Sequence, residues 1–286
     1  MAIWVAILLG IIQGIFMFFP VSSTSHLALT QHLLISQGVQ IPDPDSPEMI
    51  LFDLIVHVGT LISIAWVFRE SLSKYLRSTL AGVYELKTGD RTPSGRLYLK
   101  LTFLGLFSVF VTGAIGFPLK AMFEHVFANP LIISGTLTIT GIILWWTDKL
   151  PPRKLGLRDI GIGVAIIIGA AQALALMPGL SRSGMTIAFA LFAGMQRKWA
   201  AEYSFFIAIP TILGASLLQA IEVYMIGELT LSASVLFTAF VVSAVVGIFA
   251  LKIVIHLLYK AQFRVFSYYL WLLAAVVAYS STQGIL

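Results

Sequence analysis

Apolar residues in this 286-residue chain come in long blocks rather than in alternation, and the blocks define its elements. Stretches over 50–69, 100–118, 131–147, 203–221, 233–257 and 265–281 are apolar and of spanning length, since a helix needs roughly 20 residues to cross the hydrocarbon core. Each is expected to form a full membrane span. Two further apolar stretches, 2–36 and 159–195, are interrupted by short polar runs. The first run reads Pro20-Val21-Ser22-Ser23-Thr24-Ser25-His26; the second reads Pro178-Gly179-Leu180-Ser181-Arg182-Ser183-Gly184-Met185-Thr186. Proline removes a backbone donor and breaks a helix, and a broken helix at membrane depth is tolerated only inside protein or beside a wet cavity. Both stretches are therefore expected to be re-entrant helix hairpins. The fold class is an all-α polytopic membrane protein, six spans plus two hairpins in one transmembrane domain covering 1–286.

The loops between these elements sort by charge. Threading the spans places 69–100, 148–158, 196–202 and 252–264 on one side, and these segments carry 16 of the 18 Lys and Arg. The other side, with both termini and loops 37–49, 119–130 and 222–231, has only Lys120, and Arg182 falls within the membrane. Under the positive-inside rule the basic side is expected to be cytoplasmic and both termini external. The first hairpin then enters from outside and the second from the cytoplasm. That opposition predicts an inverted repeat, about 1–147 against about 148–286. Each half carries a Gln (Gln13, Gln172), a P-x-x-S-x-S run, and a span containing Thr60 or Thr211. Inverted repeats whose broken helices meet at the midplane build sites at their interface.

Composition narrows the class further. With 58% hydrophobic and 11% charged residues, the chain lies far from a soluble protein with roughly 25% charged. The absence of cysteine excludes disulfides and thiolate metal sites. A net charge of +5 could suggest nucleic acid, but the basic residues are dispersed through loops, which topology explains and nucleic-acid binding does not. The start, Met1-Ala2-Ile3-Trp4, lacks a basic region, so no cleavable signal is expected. Trp145-Trp146, Tyr268-Tyr269 and Trp271 fit interfacial aromatic belts. His32, His125 and His256, near span ends, are read as structural. The run Asp43-Pro44-Asp45-Ser46-Pro47-Glu48 reads as an external acidic loop, and 82–97, with Lys87-Thr88-Gly89-Asp90-Arg91, as a solvated cytoplasmic connection.

The two polar runs hold the candidate chemistry, because a charge at membrane depth is costly and is kept for a function. Arg182 offers a fixed fork of donors suited to phosphate. Ser181, Ser183 and Thr186 add hydroxyls, and a half-helix beginning there would aim free N–H groups at the same anion. The other reading of Arg182 is an internal ion pair with Asp53, which could also orient the guanidinium. In the first run, Ser22, Ser23, Thr24 and Ser25 precede His26, and a Ser three residues before a His can form a nucleophile and its base. Alternatively the hydroxyls cap a half-helix and His26 satisfies a carbonyl. Asp53 and His57, four apart, read as a local side-chain pair facing the bundle interior.

Gly14 through His26, Phe52-Asp53 with His57-Val58-Gly59-Thr60, Gln172 through Leu176 followed by PGLSRSGMT at 178–186, and Ala200 to Phe206 running on to Ile209-Pro210 together resemble the bacitracin-resistance family of undecaprenyl-diphosphate phosphatases. The resemblance covers nearly the whole chain in order, and the PGLSRSGMT segment is highly specific. It implies an integral enzyme of the bacterial cytoplasmic membrane that removes the terminal phosphate from a C55 polyprenyl diphosphate, regenerating the carrier of cell-wall sugars. It implies Ser23 and His26 as catalytic, with Arg182, Ser181, Ser183, Thr186, Ser22, Thr24 and Gln13 binding the diphosphate and Asp53 in support. The expected partners are the polyprenyl lipid and the bilayer, with a homodimer left open and nucleic acid excluded.

The family's first motif usually reads E/Q-x-x-x-E, and here those positions are Gln13 and Met17. The second acid serves metal binding or proton transfer in that pattern. A thioether does neither for Mg2+ or Ca2+, the expected divalent partners, which want oxygen ligands. Two functions therefore stand side by side: the phosphatase, and a catalytically impaired paralogue that binds polyprenyl phosphate and translocates it. An ion channel has no support, since neither a ring-forming repeat nor an acidic filter is present.

Overall fold

The computed structural model describes residues 1–44, 46–88, 92–123, 130–177, 179–226 and 231–283. Among them it contains eleven helices and no strand: α1 (Ile3–Phe16), α2 (Ser23–Ser36), α3 (Pro47–Val67), α4 (Arg69–Thr88), α5 (Pro93–Phe123), α6 (Pro130–Thr147), α7 (Ile162–Leu174), α8 (Arg182–Phe192), α9 (Arg197–Ile226), α10 (Ala233–Tyr259) and α11 (Arg264–Thr282). Five of these, α3, α5, α9, α10 and α11, contain segments long and apolar enough to cross a membrane; the sixth expected span gives the shorter apolar helix Leu131–Thr147.

Each interrupted stretch divides into two short helices around a non-helical break, 17–22 in the first and 175–181 in the second. Pro20 lies in the first break, and Ser22 takes a left-handed φ of 67° just before α2 begins, a conformation non-glycine residues adopt at a cost. In the second break Gly179 has a φ of +84°, and a Cβ there would collide with Thr136 and the Ile133 carbonyl of α6. Pro178 lies outside the described residues.

The long helices pack in a crossed pattern: α10 lies against α1 and α3, α5 against α7 and α9, α6 against α11, and α3 against α9. Small residues allow the approach, as expected where lipid supplies no hydrophobic drive between helices. At Gly14 of α1, a Cβ would sit 2.9 Å from both the Ser243 carbonyl oxygen and the Val246 Cβ of α10. Hydroxyls tie the same contacts. Ser63 donates to the Ala244 carbonyl at 2.7 Å and Ser243 to that of Val56 at 3.1 Å. Across α5 and α7, Ser108 donates to Ala165 at 2.9 Å and Thr112 to Gly169 at 3.0 Å. Such bonds contribute about 0.6 kcal/mol each in a bilayer.

The basic loops meet at one end of the bundle. Lys100 donates to the Arg158 carbonyl at 3.0 Å, Asp148 accepts from the Arg264 amide at 2.7 Å and pairs with Arg197 at 3.7 Å, and Leu155 bridges to Met195. At the other end Met1, Val39, Ile41 and Leu231 pack on one apolar cluster with Val235.

Two sequence expectations are corrected. The 82–97 segment is not a solvated loop: α4 continues to Thr88 and α5 starts at Pro93, while Gly89, Asp90 and Arg91 lie outside the described residues. Leu72, Leu76, Leu80 and Val83 follow helical spacing within α4, but its interleaved charges keep it below spanning hydropathy. Glu85 closes the joint, accepting from the Thr92 hydroxyl at 2.6 Å and amide at 2.9 Å; these bonds to its charged form hold its carboxyl below the usual range. Nor is the acidic run wholly a loop, because Pro47 and Glu48 form the first turn of α3 behind the cap Ser46, whose side chain accepts from the Met49 amide. Proline spacing there marks a helix start, the position where a missing N–H costs nothing. Asp45 and His125 lie outside the described residues; His32 and His256 are exposed.

Candidate active site

The two breaks touch. The Gly179 amide donates to Ser25 Oγ at 3.1 Å, and Ser183 Oγ donates to the Phe18 carbonyl at 3.3 Å. Ser181 caps α8, accepting from the Gly184 amide at 3.2 Å, with Ser183 Oγ 3.3 Å from its own. Arg182 is thereby the first residue of α8, where unpaired backbone N–H groups carry partial positive charge. Its Nη2 donates to Met17 Sδ at 3.6 Å, and Gln13 Nε2 donates to the same sulfur at 3.5 Å. Among the described residues, Arg182 Nη1 is buried without a hydrogen-bond partner, as are Gln13 Oε1 and Asp53 Oδ1.

Arg182 and Asp53 form no ion pair, so the internal-pair reading fails. The Asp53–His57 reading also changes: His57 Nδ1 donates to the Asp53 carbonyl at 2.6 Å and leaves the carboxylate alone. A buried guanidinium facing a thioether, with one donor unfilled, is costly unless an anion completes it. Thr186 turns its hydroxyl to the Arg182 carbonyl at 3.0 Å and thus supports the helix start.

His26 is held at both nitrogens. Nδ1 lies 2.7 Å from the Ser22 carbonyl and Nε2 lies 2.6 Å from the Tyr269 hydroxyl. A carbonyl only accepts, so Nδ1 carries the hydrogen, and in the neutral ring Nε2 presents its lone pair to Tyr269. Phe16 stacks on the imidazole, with centroids 3.8 Å apart. Ser23, at the start of α2, is half-buried, and its side chain shares no hydrogen bond with His26. Ser22 Oγ lies 3.1 Å from Ser25 Oγ and 3.4 Å from Thr24 Oγ1. Ser22 and Ser25 are buried, whereas Thr24 is exposed.

Tyr269 was assigned to an aromatic belt on sequence grounds; in the structure it holds His26. Nothing local in the sequence signals this, because the two residues are 243 positions apart. Tyr268 and Trp146 remain exposed, and Trp271 donates to the Thr138 carbonyl at 3.3 Å.

The donor set does not fit Mg2+ or Ca2+ held by the chain. Gln13 Oε1 and Asp53 Oδ1 are hard donors, but Met17 Sδ between Gln13 and Arg182 is soft and already takes two N–H groups. Among the described residues no group of three or more His, Asp or Glu is placed to share a cation.

Fold and site together define a multi-pass helical membrane protein with a polar cluster around Arg182 where two broken helices meet. The chain belongs to the family described as bacitracin resistance protein BacA, which it matches over residues 6–276. It is 59% identical over 279 residues to an undecaprenyl-diphosphatase of Alkalilimnicola ehrlichii, covering 97% of this chain and 96% of that protein. It is 58% identical over 278 residues to one of Halorhodospira halophila, covering 97% of each. A more distant relative with the same name, from Alkaliphilus metalliredigens, is 36% identical over 273 residues, 95% of this chain and 96% of its own.

Proposed function

We propose that the protein is an undecaprenyl-diphosphate phosphatase, hydrolysing the terminal phosphate of the diphosphate lipid and returning the monophosphate carrier to cell-wall synthesis. The observation that carries this reading is the unfilled Nη1 of Arg182 at the start of α8. The terminal phosphate takes the place of the missing anion on Arg182 and on the first amides of α8. In this reading Ser181, Ser183, Ser22, Thr24 and Gln13 supply further polar contacts to the phosphate. Water attacks the terminal phosphorus, the bridging P–O bond breaks, and the water proton passes to the Tyr269 hydroxyl as that hydroxyl hands its own hydrogen to His26 Nε2, the lone pair it already bonds. Ser23 orients the water or attacks in its place, and Arg182 neutralises charge developing on the equatorial oxygens. No step runs through a metal ion.

The names of the relatives favour hydrolysis over an impaired carrier, since relatives at 59% and 58% identity are called diphosphatases. The reading places the chain in the bacterial inner membrane with both termini external. The supporting observation is that 16 of 18 basic residues fall in segments assigned to one side. An inverted repeat belongs to the same reading. Exchanging α1, α2, α3, α5 and α6 for α7, α8, α9, α10 and α11 turns the α1–α10 contact into α7–α5 and α3–α10 into α9–α5, and leaves α3–α9 and α6–α11 unchanged. Re-entrant placement of both hairpins is part of the same reading.

The test is phosphate release from C55 diphosphate by purified protein. Wild type is expected to turn over, and His26→Ala to lose about two orders of magnitude or more, the scale of a lost acid–base group. Saturable lipid binding without phosphate release would reject the enzyme and leave the carrier.

A further inference from the structure

We propose that the groove between α4, α5 and α9 is a second lipid site, one that takes the phosphate headgroup and a single chain of an anionic amphiphile at the basic end of the bundle. The cavity measures about 420 Å3, within the roughly 300–1,000 Å3 usual for small-molecule sites. None of Gln13, Met17, Ser22 to His26, Asp53 or Ser181 to Thr186 lines it. Its long axis follows α9 from Lys198 to Pro210, about 18 Å at 1.5 Å rise per residue.

Polarity changes along that axis. Lys74, Lys198 and Glu202 mark one end, and Leu106, Ile209 and Pro210 the other. Lys74 and Lys198 are both exposed, and neither forms an ion pair within 4.0 Å among the described residues. Glu202 lies near enough to Lys198 to act on it electrostatically, so the two ammoniums outnumber the one carboxylate. The wall between is aromatic, and two of its hydroxyls are occupied: Tyr75 Oη is 2.7 Å from Thr102 Oγ1, and Tyr203 Oη is 2.9 Å from Ser108 Oγ. What the groove offers along its length is therefore ring faces and aliphatic surface. At its lip Leu76 and Leu106 are 52% and 57% exposed. A mouth rimmed by leucine opens to hydrocarbon, which selects a lipid over a free phosphate compound, while the lysines at the basic end, Lys198 lying 4.7 Å over the Trp199 ring, select an anionic head.

Trp199 lines the groove and supplies the readout. The full-length protein is reconstituted in phosphatidylcholine nanodiscs and titrated with phosphatidic acid carrying brominated chains. The Trp199 signal is isolated by comparison with Trp199→Phe. Saturable quenching is expected, with apparent affinity about tenfold weaker for brominated phosphatidylcholine and for Lys74→Glu/Lys198→Glu, the scale of one charge-assisted contact. Gly105→Leu should block the chain, since a Cβ at 105 meets only the Ile207 Cγ2 at 3.6 Å and the rest of the side chain enters the groove. This second variant keeps the test decisive if charge reversal prevents membrane insertion. Equal quenching by the two headgroups, wild-type quenching in Gly105→Leu, or displacement of the lipid by millimolar inorganic phosphate would each overturn the proposal.

Discussion

Tyr269 Oη on α11 and His26 Nε2 on α2 lie 2.6 Å apart, while the opposite ring nitrogen is fixed by the Ser22 carbonyl at 2.7 Å. The carbonyl determines the tautomer, and the tautomer makes Nε2 the only proton acceptor on the ring. The phenol can donate to neutral Nε2 or accept from the imidazolium, so the bond survives proton transfer in either direction. Tyr269 thus both orients the proposed base and carries the proton to it, and Phe16 holds the ring from its face.

Tyr269→Phe keeps the aromatic stack on His26 and removes only the hydroxyl. The expected outcome is a kcat lower by about tenfold, with KM within about twofold, because one partner of a catalytic base is lost while lipid contacts remain. The acid limb of the pH–rate profile should also move, which a purely packing role would not produce. An unchanged kcat and pH profile would show that Tyr269 only fills space.

Arg182→Lys is expected to weaken binding of polyprenyl diphosphate by about tenfold or more, because a point ammonium cannot reproduce a bidentate guanidinium fork on phosphate. Equilibrium binding in detergent, with thermal unfolding as a control for the fold, reads this directly. Since Arg182 has no carboxylate partner to orphan, the variant should remain folded. Wild-type affinity would assign the guanidinium a structural role.

The helix–break–helix character of 2–36 and 159–195 is legible in the sequence because Pro20 and the Pro178-Gly179 pair interrupt runs that would otherwise be long helices. The Arg182 neighbourhood is legible for the same reason, as a guanidinium within apolar sequence has few uses. The missing parts depend on distance or on a weaker pattern. Tyr269 reaches His26 only through the packing of α11 near α2, and α4 escapes a hydropathy reading because its charged positions dilute Leu72, Leu76, Leu80 and Val83. The Pro spacing of the acidic run reads as loop, yet Pro47, one position after Ser46, marks a helix start.

Tags at the two termini should be reached from outside an intact cell, and a tag in the 89–91 segment only after permeabilisation. The physical basis is the concentration of Lys and Arg in the segments assigned to one side, which the translocation machinery retains in the cytoplasm. Protected termini with a labelled 89–91 tag would reverse the orientation and, with it, the sides from which the hairpins enter.

Met17→Glu would exchange the sulfur between Gln13 and Arg182 for a carboxylate. A buried carboxylate is costly alone, but Arg182 Nη2 is 3.6 Å from the present sulfur and supplies the counter-charge, so the protein should fold. The new pair competes with the diphosphate for the guanidinium, and lipid affinity without divalent cation should fall by about tenfold, or 1.4 kcal/mol. The carboxylate also adds a hard donor beside Gln13 Oε1, an unpartnered oxygen one helical turn away, and two hard oxygens suit Mg2+ shared with phosphate oxygens. Mg2+ should therefore restore binding in the variant and do little for wild type. Binding isotherms for both proteins, with EDTA and with Mg2+, decide it: the same response in both would mean that the thioether at position 17 does not determine how this site meets its anion.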